Sequence, residues 1–215
     1  MPQQLIIFPF GGNGREALVS AIEANKISHQ WDILGFVDDN QDTWGKDMAG
    51  YKVLGDRSVL EKYPEAKVLA VPGNAQTYLK RQSIIEGLNL KKERFATIIS
   101  PNAVVSPDAV IGCNTFVMPY VFVACGVSLG NHCIILSHTL IHHDSVVDDY
   151  NCIGSSVTIS GDVKVEKNCY IGSGTNIKEK IIVGERSLLG LGSNVVSNIT
   201  PQVTVVGNPA RVLKS

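Results

Sequence analysis

The chain has 215 residues, of which 44% are hydrophobic and 18% are charged, and its formal net charge is −1 at pH 7. A charge so close to zero, without a long basic run, argues against nucleic-acid binding as the main role. Because no apolar stretch reaches the length of a membrane span and the first residues do not form a secretion signal, we expect a cytoplasmic protein without a membrane contact.

The first part of the chain alternates between strand-like and helix-like patterns. Apolar strand patterns occur at residues 4–9, 33–37, 67–71 and 95–99, and helical apolar spacing occurs at residues 15–25 and 76–87. Such alternation predicts a small parallel α/β sheet. The pattern changes near Ile98, so we predict two domains, residues 1–97 and residues 98–215.

A glycine-rich turn joins the first predicted strand to the first predicted helix. It consists of Gly11, Gly12, Asn13, Gly14 and Arg15. The backbone N–H groups of such a turn, together with the helix dipole, can bind a phosphate. Glycine turns also serve tight packing, and this turn lacks the spacing of the dinucleotide fingerprint.

Two carboxylates, Asp38 and Asp39, follow the second predicted strand. Each of them could be a solvated loop acid, or could accept a hydrogen bond from a ribose or a base. Because the glycine-rich turn and these acids lie at the ends of adjoining strands, we predict that together they bind a nucleotide.

From Ile99 to Val195 an aliphatic residue recurs at every sixth position. A helix would place apolar residues every three or four positions and a half-buried strand every two, so short strands joined by tight corners fit this period better. Residues that tolerate positive φ fall at the expected corners: Asn102, Asp108, Asn114, Gly126, Asp144, Asp162, Asn168, Gly174, Gly192 and Asn198. The spacing therefore predicts an all-β parallel β-helix.

This repeat resembles the left-handed parallel β-helix of the hexapeptide-repeat acyltransferases. The resemblance implies the left-handed sense and a triangular coil of three repeats, with about eighteen residues in each coil.

All five cysteines, Cys113, Cys125, Cys133, Cys152 and Cys169, lie in the repeat. Their odd number and their lack of zinc-type pairing predict reduced and mostly packed thiols.

Four of the five histidines lie close together in the repeat, at His132, His138, His142 and His143. Any one of them could be an ordinary surface residue. His143 differs because Asp144 follows it and can fix the tautomer and raise the basicity of the ring, as a general base requires. Gly161, one coil later, is predicted to stack over His143 and to offer its N–H to an oxyanion.

The whole chain is similar to the PglD and NeuD type of sugar acetyltransferases of bacterial glycan synthesis. The similarity lies in the glycine-rich turn, in residues 36–40, in the hexapeptides, in residues 140–144 and in residues 206–211. It implies a Rossmann-like N-terminal domain that binds a nucleotide-linked sugar, a β-helix that binds acetyl-CoA, and a homotrimer with active sites between subunits. The family's His-acid pair falls on His143 and Asp144.

The same resemblance suggests which residues contact the two substrates. His138, the glycine-rich turn and the two acids would bind the sugar nucleotide. Acetyl-CoA would contact Gly161, Gly172, Lys178, Arg186, Asn208, Pro209 and Arg211, although solvated charges are the alternative for the basic residues. Residues 206–211 would also cap the open end of the β-helix.

The chain departs from its relatives at three positions. Relatives often carry histidine where this chain has Asn13 and Cys152, and asparagine where it has Leu136. These differences concern the contact with the acetyl carbonyl and the recognition of the sugar, and they bear on which acceptor is used.

We predict an acetyl-CoA-dependent N-acetyltransferase that acts on a nucleotide-linked amino sugar, with UDP favoured by resemblance, and that needs no metal. An O-acetyltransferase of the sialic-acid type is the first alternative. A zinc hydratase like the γ-type carbonic anhydrases is another, because His138 and His143 are five residues apart, but Asn102 lies where its third ligand is expected. A non-catalytic module that binds a nucleotide sugar is the last.

Overall fold

The structure is a computed structural model that describes residues 1–214, with side chains up to Leu213. Its first region contains five strands and two helices. Their bounds are β1 (Gln3–Phe8), α1 (Gly12–Ile27), β2 (Trp31–Phe36), β3 (Asp47–Met48), β4 (Tyr51–Lys52), β5 (Lys67–Ala70) and α2 (Arg81–Glu86). Among residues 1–214, no helix is both long and apolar enough to cross a membrane.

The N-terminal sheet has the order β2-β1-β5, and both pairings are parallel, which confirms the predicted parallel sheet. The predicted fourth strand at 95–99 is wrong. Phe95 forms only a single bridge to Val68, and the next strand belongs to the β-helix. The predicted helix at 76–87 is shorter than expected, because Tyr78–Lys80 is a 3-10 turn that precedes α2.

A three-sided, left-handed β-helix of about six turns follows. It is built from strands of two residues, β6 to β22: Ile98–Ile99, Val104–Val105, Val110–Ile111, Phe116–Val117, Phe122–Val123, Ser128–Leu129, Ile134–Ile135, Leu140–Ile141, Val146–Val147, Cys152–Ile153, Thr158–Ile159, Lys164–Val165, Tyr170–Ile171, Asn176–Ile177, Ile182–Val183, Leu188–Leu189 and Asn194–Val195. Phe122 pairs with Leu140 in the next coil, which confirms the eighteen-residue period.

The strands stack into three parallel faces. Face one contains β7, β10, β13, β16, β19 and β22, and face two contains β8, β11, β14, β17 and β20. Face three contains β6, β9, β12, β15, β18 and β21, and it continues into β23 (Thr204–Gly207) and β24 (Ala210–Lys214). These last two strands form an antiparallel hairpin, so the predicted C-terminal cap is a hairpin that extends face three.

The corners of the β-helix hold one residue at positive φ in every repeat from Asn114 to Gly192. Bulky residues such as Tyr120 and Lys180 also adopt this conformation, because hydrogen bonds to the preceding coil fix the backbone. The prediction of positive φ is wrong for three residues, Asn102, Asp108 and Asn198.

The three exceptions lie in the first and last coils. At the first two, Ala103 N–H donates to Ser100 O at 2.9 Å and Ala109 N–H donates to Ser106 O at 3.0 Å, so the corner closes as a hydrogen-bonded turn. Asn198 instead accepts the Ile182 N–H through its side-chain Oδ1. A local turn or a side chain thus replaces the left-handed residue at the ends.

Face three packs against the N-terminal region. Asn114, which is buried at the corner between faces two and three, bonds both backbone groups of Ala70 at the end of β5: Ala70 N–H donates to its Oδ1 at 2.7 Å and its Nδ2 donates to Ala70 O at 2.8 Å. The buried Phe116 and Ile134 side chains of face three join the same apolar core as Leu69. The edge of the N-terminal sheet is therefore held against the β-helix.

Candidate active site

His143 and Asp144 lie at the corner between faces one and two, which we call the dyad corner. Strand β13 leads into this corner, and Asp144 takes φ 59° there. The neighbouring coils hold the backbone on both sides, since Asp144 N–H donates to Cys125 O at 3.1 Å and Asp162 N–H donates to His143 O at 3.0 Å. The two side chains therefore project from a backbone that has little freedom.

The two side chains are hydrogen-bonded to each other. His143 Nδ1 lies 2.8 Å from Asp144 Oδ2, and the side chains are 56% and 63% exposed. In a neutral ring the carboxylate favours the tautomer with the proton on Nδ1, so Nε2 keeps its lone pair. This is the arrangement that a general base requires, and the role of His143 as the base stays a prediction.

Gly161 contacts the His143 ring from the next coil. A Cβ at this glycine would lie 2.6 Å from both Cε1 and Nε2 of the imidazole, closer than any real Cβ contact. The predicted stacking is therefore present. Within residues 1–214 the Gly161 N–H donates no hydrogen bond, so its role towards an oxyanion stays a prediction.

The residues predicted to contact acetyl-CoA are spread over different corners. Lys178 directly follows strand β19 of face one, at the side of this face next to the dyad corner and two coils beyond His142. Arg186 lies at the corner that packs on the N-terminal region, where its carbonyl accepts the Tyr78 hydroxyl at 3.0 Å. Gly172 lies at the end of a face-three strand, and its Cβ would meet Leu191 N at 2.7 Å, so close packing of coils explains this glycine. One chain alone does not bring this set together.

The remaining predicted acetyl-CoA contacts lie in the C-terminal hairpin. Asn208 and Pro209 form its exposed turn, and Arg211 is exposed on β24. This hairpin extends face three, whereas the dyad lies between the other two faces. Their contact with acetyl-CoA stays a prediction.

The glycine-rich turn follows β1 as predicted, but α1 begins within it at Gly12 and not after it. Gly14 is required there, because its Cβ would lie 2.0 Å from Pro9 O. Asn13 Nδ2 donates to Gly73 O at 3.0 Å, so this side chain ties the turn to the segment after β5. The side chain of Arg15 is exposed and borders a cavity of about 260 Å³ that is also lined by Gly12, Glu16, Val19 and Met48. No side chain among the described residues caps this helix N-terminus, and its contact with a phosphate stays a prediction.

The two acids after β2 differ in their surroundings. Asp38 is buried and accepts Phe10 N–H and Asn40 N–H, both at 2.9 Å, so it shapes the loop that leads into the glycine-rich turn. Asp39 is paired with Arg57, whose side-chain hydrogen bonds hold the pKa of this carboxyl below its usual range. Contact of either acid with a ribose stays a prediction.

The four histidines do not form one cluster. His138 lies at the other end of β13, where it stacks on Tyr120 with ring centroids 5.0 Å apart, so it does not meet His143 in one chain. His132 lies at the corner that packs on the N-terminal region, stacked on Tyr150 at 4.7 Å. Within residues 1–214 no three His, Cys, Asp or Glu side chains are arranged to hold a metal ion.

Burial of His132 has a consequence for stability. Burial lowers the pKa of His132 to about 4, and Asn114 Nδ2 lies 3.0 Å from its Nδ1 and can donate only to a neutral ring. Because the unfolded chain binds this proton near pH 6.5, stability is lost as the pH falls from about 6.5 to about 4. We expect the free energy of unfolding to fall by about 2 to 3 kcal/mol over this range, measured by urea denaturation.

The variant His132→Asn is the control for this loss. Asparagine tolerates the φ of 59° and offers an acceptor to Asn114, but it does not titrate. Its stability should change less than that of the wild type between pH 6.5 and pH 4. If the free energy of unfolding changes equally with pH in the two proteins, the loss of stability does not come from protonation of His132.

Sequence reasoning missed two arginines that shape the site region. Arg81 looks like an ordinary helix residue, yet it is fully buried between the N-terminal region and the β-helix. Arg57 pairs with Asp39 across eighteen residues. Neither residue stands in a recognisable motif, so only the folded structure reveals them.

The cysteines are free thiols as expected, and only Cys125 is exposed.

Comparison with known proteins gives one sequence family and several similar structures. The family described as the GMPPB C-terminal domain matches residues 94–206. The acetyltransferase domain of PglB from Neisseria gonorrhoeae FA1090 has 26% sequence identity and a TM-score of 0.85, over 98% of this chain and 100% of that one. The same domain in complex with acetyl coenzyme A matches with 25% identity and a TM-score of 0.84, over 99% of this chain and 100% of that one.

A third structure shares the fold at lower identity. It is PerB from Caulobacter crescentus in complex with CoA and GDP-perosamine, with 22% identity and a TM-score of 0.84. The match covers 99% of this chain and 97% of that chain. The likeness therefore includes both the N-terminal region and the β-helix.

Proposed function

The chain belongs to the family of the GMPPB C-terminal domain, and we propose that it is an N-acetyltransferase that moves the acetyl group of acetyl-CoA onto the amino group of a nucleotide-linked sugar. The observation that carries this proposal is the exposed pair in which His143 Nδ1 lies 2.8 Å from Asp144 Oδ2, with Gly161 against the ring. The likeness to an acetyltransferase domain that was solved with acetyl coenzyme A supports it.

In the proposed reaction His143 acts as the general base. Its Nε2 removes a proton from the sugar's amine as the nitrogen attacks the thioester carbonyl and the new N–C bond forms. Asp144 keeps the ring oriented and stabilises the positive charge that the ring acquires. The C–S bond then breaks, and His143 returns the proton to the departing thiolate of CoA. Acetyl amide, free thiol and the original imidazole result, so no metal and no covalent enzyme intermediate are required.

Gly161 serves as the oxyanion donor in this proposal. Its N–H has no other partner in the described chain, and the absence of a side chain lets the imidazole and a substrate approach the same peptide. One such donor typically stabilises the transition state by about 3 kcal/mol.

The sugar nucleotide is proposed to bind at the N-terminal region. The N–H groups of the Gly11 to Gly14 turn and the Arg15 guanidinium suit a diphosphate. Asp39 and His138 are the proposed contacts to the nucleoside and to the sugar. We propose UDP as the nucleotide on the resemblance to sugar acetyltransferases, whereas the similar PerB was solved with GDP-perosamine.

We further propose a homotrimer with its active sites between subunits. Exposed apolar side chains flank the dyad corner on both sides, on face one at Val104, Phe122 and Leu140 and on face two at Val110, Val146 and Ile182. Such apolar surface favours contact with another subunit. A neighbouring β-helix would also bring the proposed acetyl-CoA contacts of other corners (Gly172, Arg186 and the C-terminal hairpin) towards Lys178 and the dyad.

The test is an acceptor screen with acetyl-CoA. UDP-, GDP- and dTDP-linked amino sugars are compared with the matched hydroxyl sugars, following free thiol and product mass. Thiol release together with the gain of one acetyl group on an amino sugar is the expected result. Acetylation of hydroxyl sugars alone would make the protein an O-acetyltransferase, and no turnover with any acceptor would leave a binding module.

A further inference from the structure

The carboxylate of Asp144 rests on the preceding coil at the dyad corner. A Cβ at Gly126, one coil before Asp144, would lie 2.5 Å from Asp144 Oδ1 and 3.4 Å from its Cγ. The space that a side chain at residue 126 would fill is therefore occupied by the carboxylate itself. The other carboxylate oxygen, Oδ2, is the one that bonds His143 Nδ1.

The peptide of Gly126 is held in turn by the coil before it. Gly126 N–H donates to Asp108 Oδ2 at 2.9 Å, and the other oxygen of Asp108 accepts the Ser106 hydroxyl. Asp108 is thus fixed at both oxygens, and these two hydrogen bonds lower the pKa of its carboxyl. A continuous series of contacts leads from Ser106 through Asp108 and Gly126 to the dyad.

We propose that Gly126 and Asp108 are positioning residues for the reaction: Gly126 leaves room for the Asp144 carboxylate, and Asp108 holds the Gly126 peptide beneath it. This inference rests on the function proposed above. Neither residue is hydrogen-bonded to the His143 ring, whose described side-chain partner is Asp144. Both residues set the rotamer of Asp144 in which its Oδ2 reaches His143 Nδ1. That hydrogen bond in turn selects the tautomer of His143 that leaves Nε2 unprotonated.

Gly126→Ala tests the first half of this inference. Its methyl group would displace the carboxylate, so we expect kcat to fall roughly 10- to 100-fold with little change in KM. Alanine is also strained at φ 69°, and Gly192→Ala controls for that strain because Gly192 has φ 64° and nothing within 4 Å of a Cβ. Gly192→Ala should therefore show the same strain with near wild-type kcat.

Asp108 tests the second half with a conservative rescue. Asp108→Ala removes the acceptor of the Gly126 N–H, and we expect kcat to fall several-fold. Asp108→Asn keeps an oxygen acceptor at the same place and should recover most of the activity. Because Asp108 lies at an exposed site, these variants keep the inference testable if Gly126→Ala does not fold.

A readout independent of acetyl transfer separates this inference from the proposed function. The ¹⁵N shifts of the His143 ring, assigned by their loss in His143→Gln, report which nitrogen carries the proton. We expect protonated Nδ1 in the wild type and in Gly192→Ala, and a mixture of tautomers in Gly126→Ala and Asp108→Ala. Unchanged tautomers in the last two variants, or an altered tautomer with unchanged kcat, would overturn the inference, whereas inactivity of the wild type would overturn only the function.

Discussion

Replacement of His143 by alanine is expected to lower kcat for acetyl transfer by about 10²- to 10⁴-fold. In the proposed reaction the imidazole carries the amine's proton, and because its side chain is exposed we expect the coil to stay intact without it. Steady-state thiol release with the best amino-sugar acceptor measures the effect. The midpoint of thermal unfolding should stay close to that of the wild type, which separates lost chemistry from lost structure.

His142→Ala is the matched control for this loss. His142 is the adjacent residue, and its ring leans on Phe122 with centroids 6.4 Å apart rather than on a carboxylate. We expect its kcat to stay within a few-fold of the wild type. A large loss in His142→Ala together with normal activity in His143→Ala would show that the wrong histidine has been assigned.

Asp144→Asn probes the same pair by reversing its polarity. The asparagine amide would donate to His143 Nδ1, which forces the ring proton onto Nε2 and removes the lone pair that the proposed base needs. We expect a loss of kcat comparable to that of His143→Ala, although the ring is still present. The comparison therefore tests whether the tautomer, and not only the ring, is needed.

The β-helix could be predicted from the sequence because every hexapeptide carries the same pattern of core and corner residues. The aliphatic residue of every hexapeptide must enter the core, and its neighbours six positions away face the same requirement. The dyad could also be predicted from local sequence, because Asp144 directly follows His143. Gly161 followed from the coil length. Where the period is regular, sequence distance converts directly into spatial distance.

The ends of the β-helix and the corners were less predictable. Asn102 and Asp108 are residues that tolerate positive φ, yet their corners close through local turns because they belong to the first coils. Tyr120 and Lys180, which do not favour positive φ, adopt it because adjacent coils fix their backbone. Stacking of coils outweighs residue preference at these positions.

In the N-terminal region β1, α1, β2 and β5 were predictable from the sequence, but the roles of the polar side chains were not. Asn13 and Asp38 read as ligand contacts, and in the structure both bond to backbone groups distant in sequence. Such partners are brought together only by the docking of β1, β2 and β5. The same limit applies to Arg81, because two of its three partners, His132 and Tyr150, lie on the β-helix.

Arg81→Met is expected to cause a large loss of stability. The guanidinium is fully buried, and it donates to three backbone carbonyls, those of Pro72, His132 and Tyr150, the last at 3.3 Å. Methionine fills similar volume but leaves all three carbonyls without this donor. We expect the free energy of unfolding in urea to fall by about 3 to 5 kcal/mol.

The partners of Arg81 also predict how the variant unfolds. Pro72 belongs to the N-terminal region, whereas His132 and Tyr150 lie on the β-helix, so the side chain joins the two. Both tryptophans, Trp31 and Trp44, lie in the N-terminal region. In Arg81→Met we expect tryptophan fluorescence to change at lower urea than the circular dichroism of the β-helix, while the two transitions coincide in the wild type.

Arg94→Met is the control that separates a joining arginine from a local one. Arg94 also donates to backbone carbonyls, those of Ala66 at 2.8 Å and Tyr63 at 2.9 Å, but both lie within the N-terminal region. Its loss should lower stability without separating the two transitions. If Arg81→Met unfolds at the wild-type urea concentration, the apolar contact and the hydrogen bonds of Asn114 with Ala70 hold the two regions together without the guanidinium.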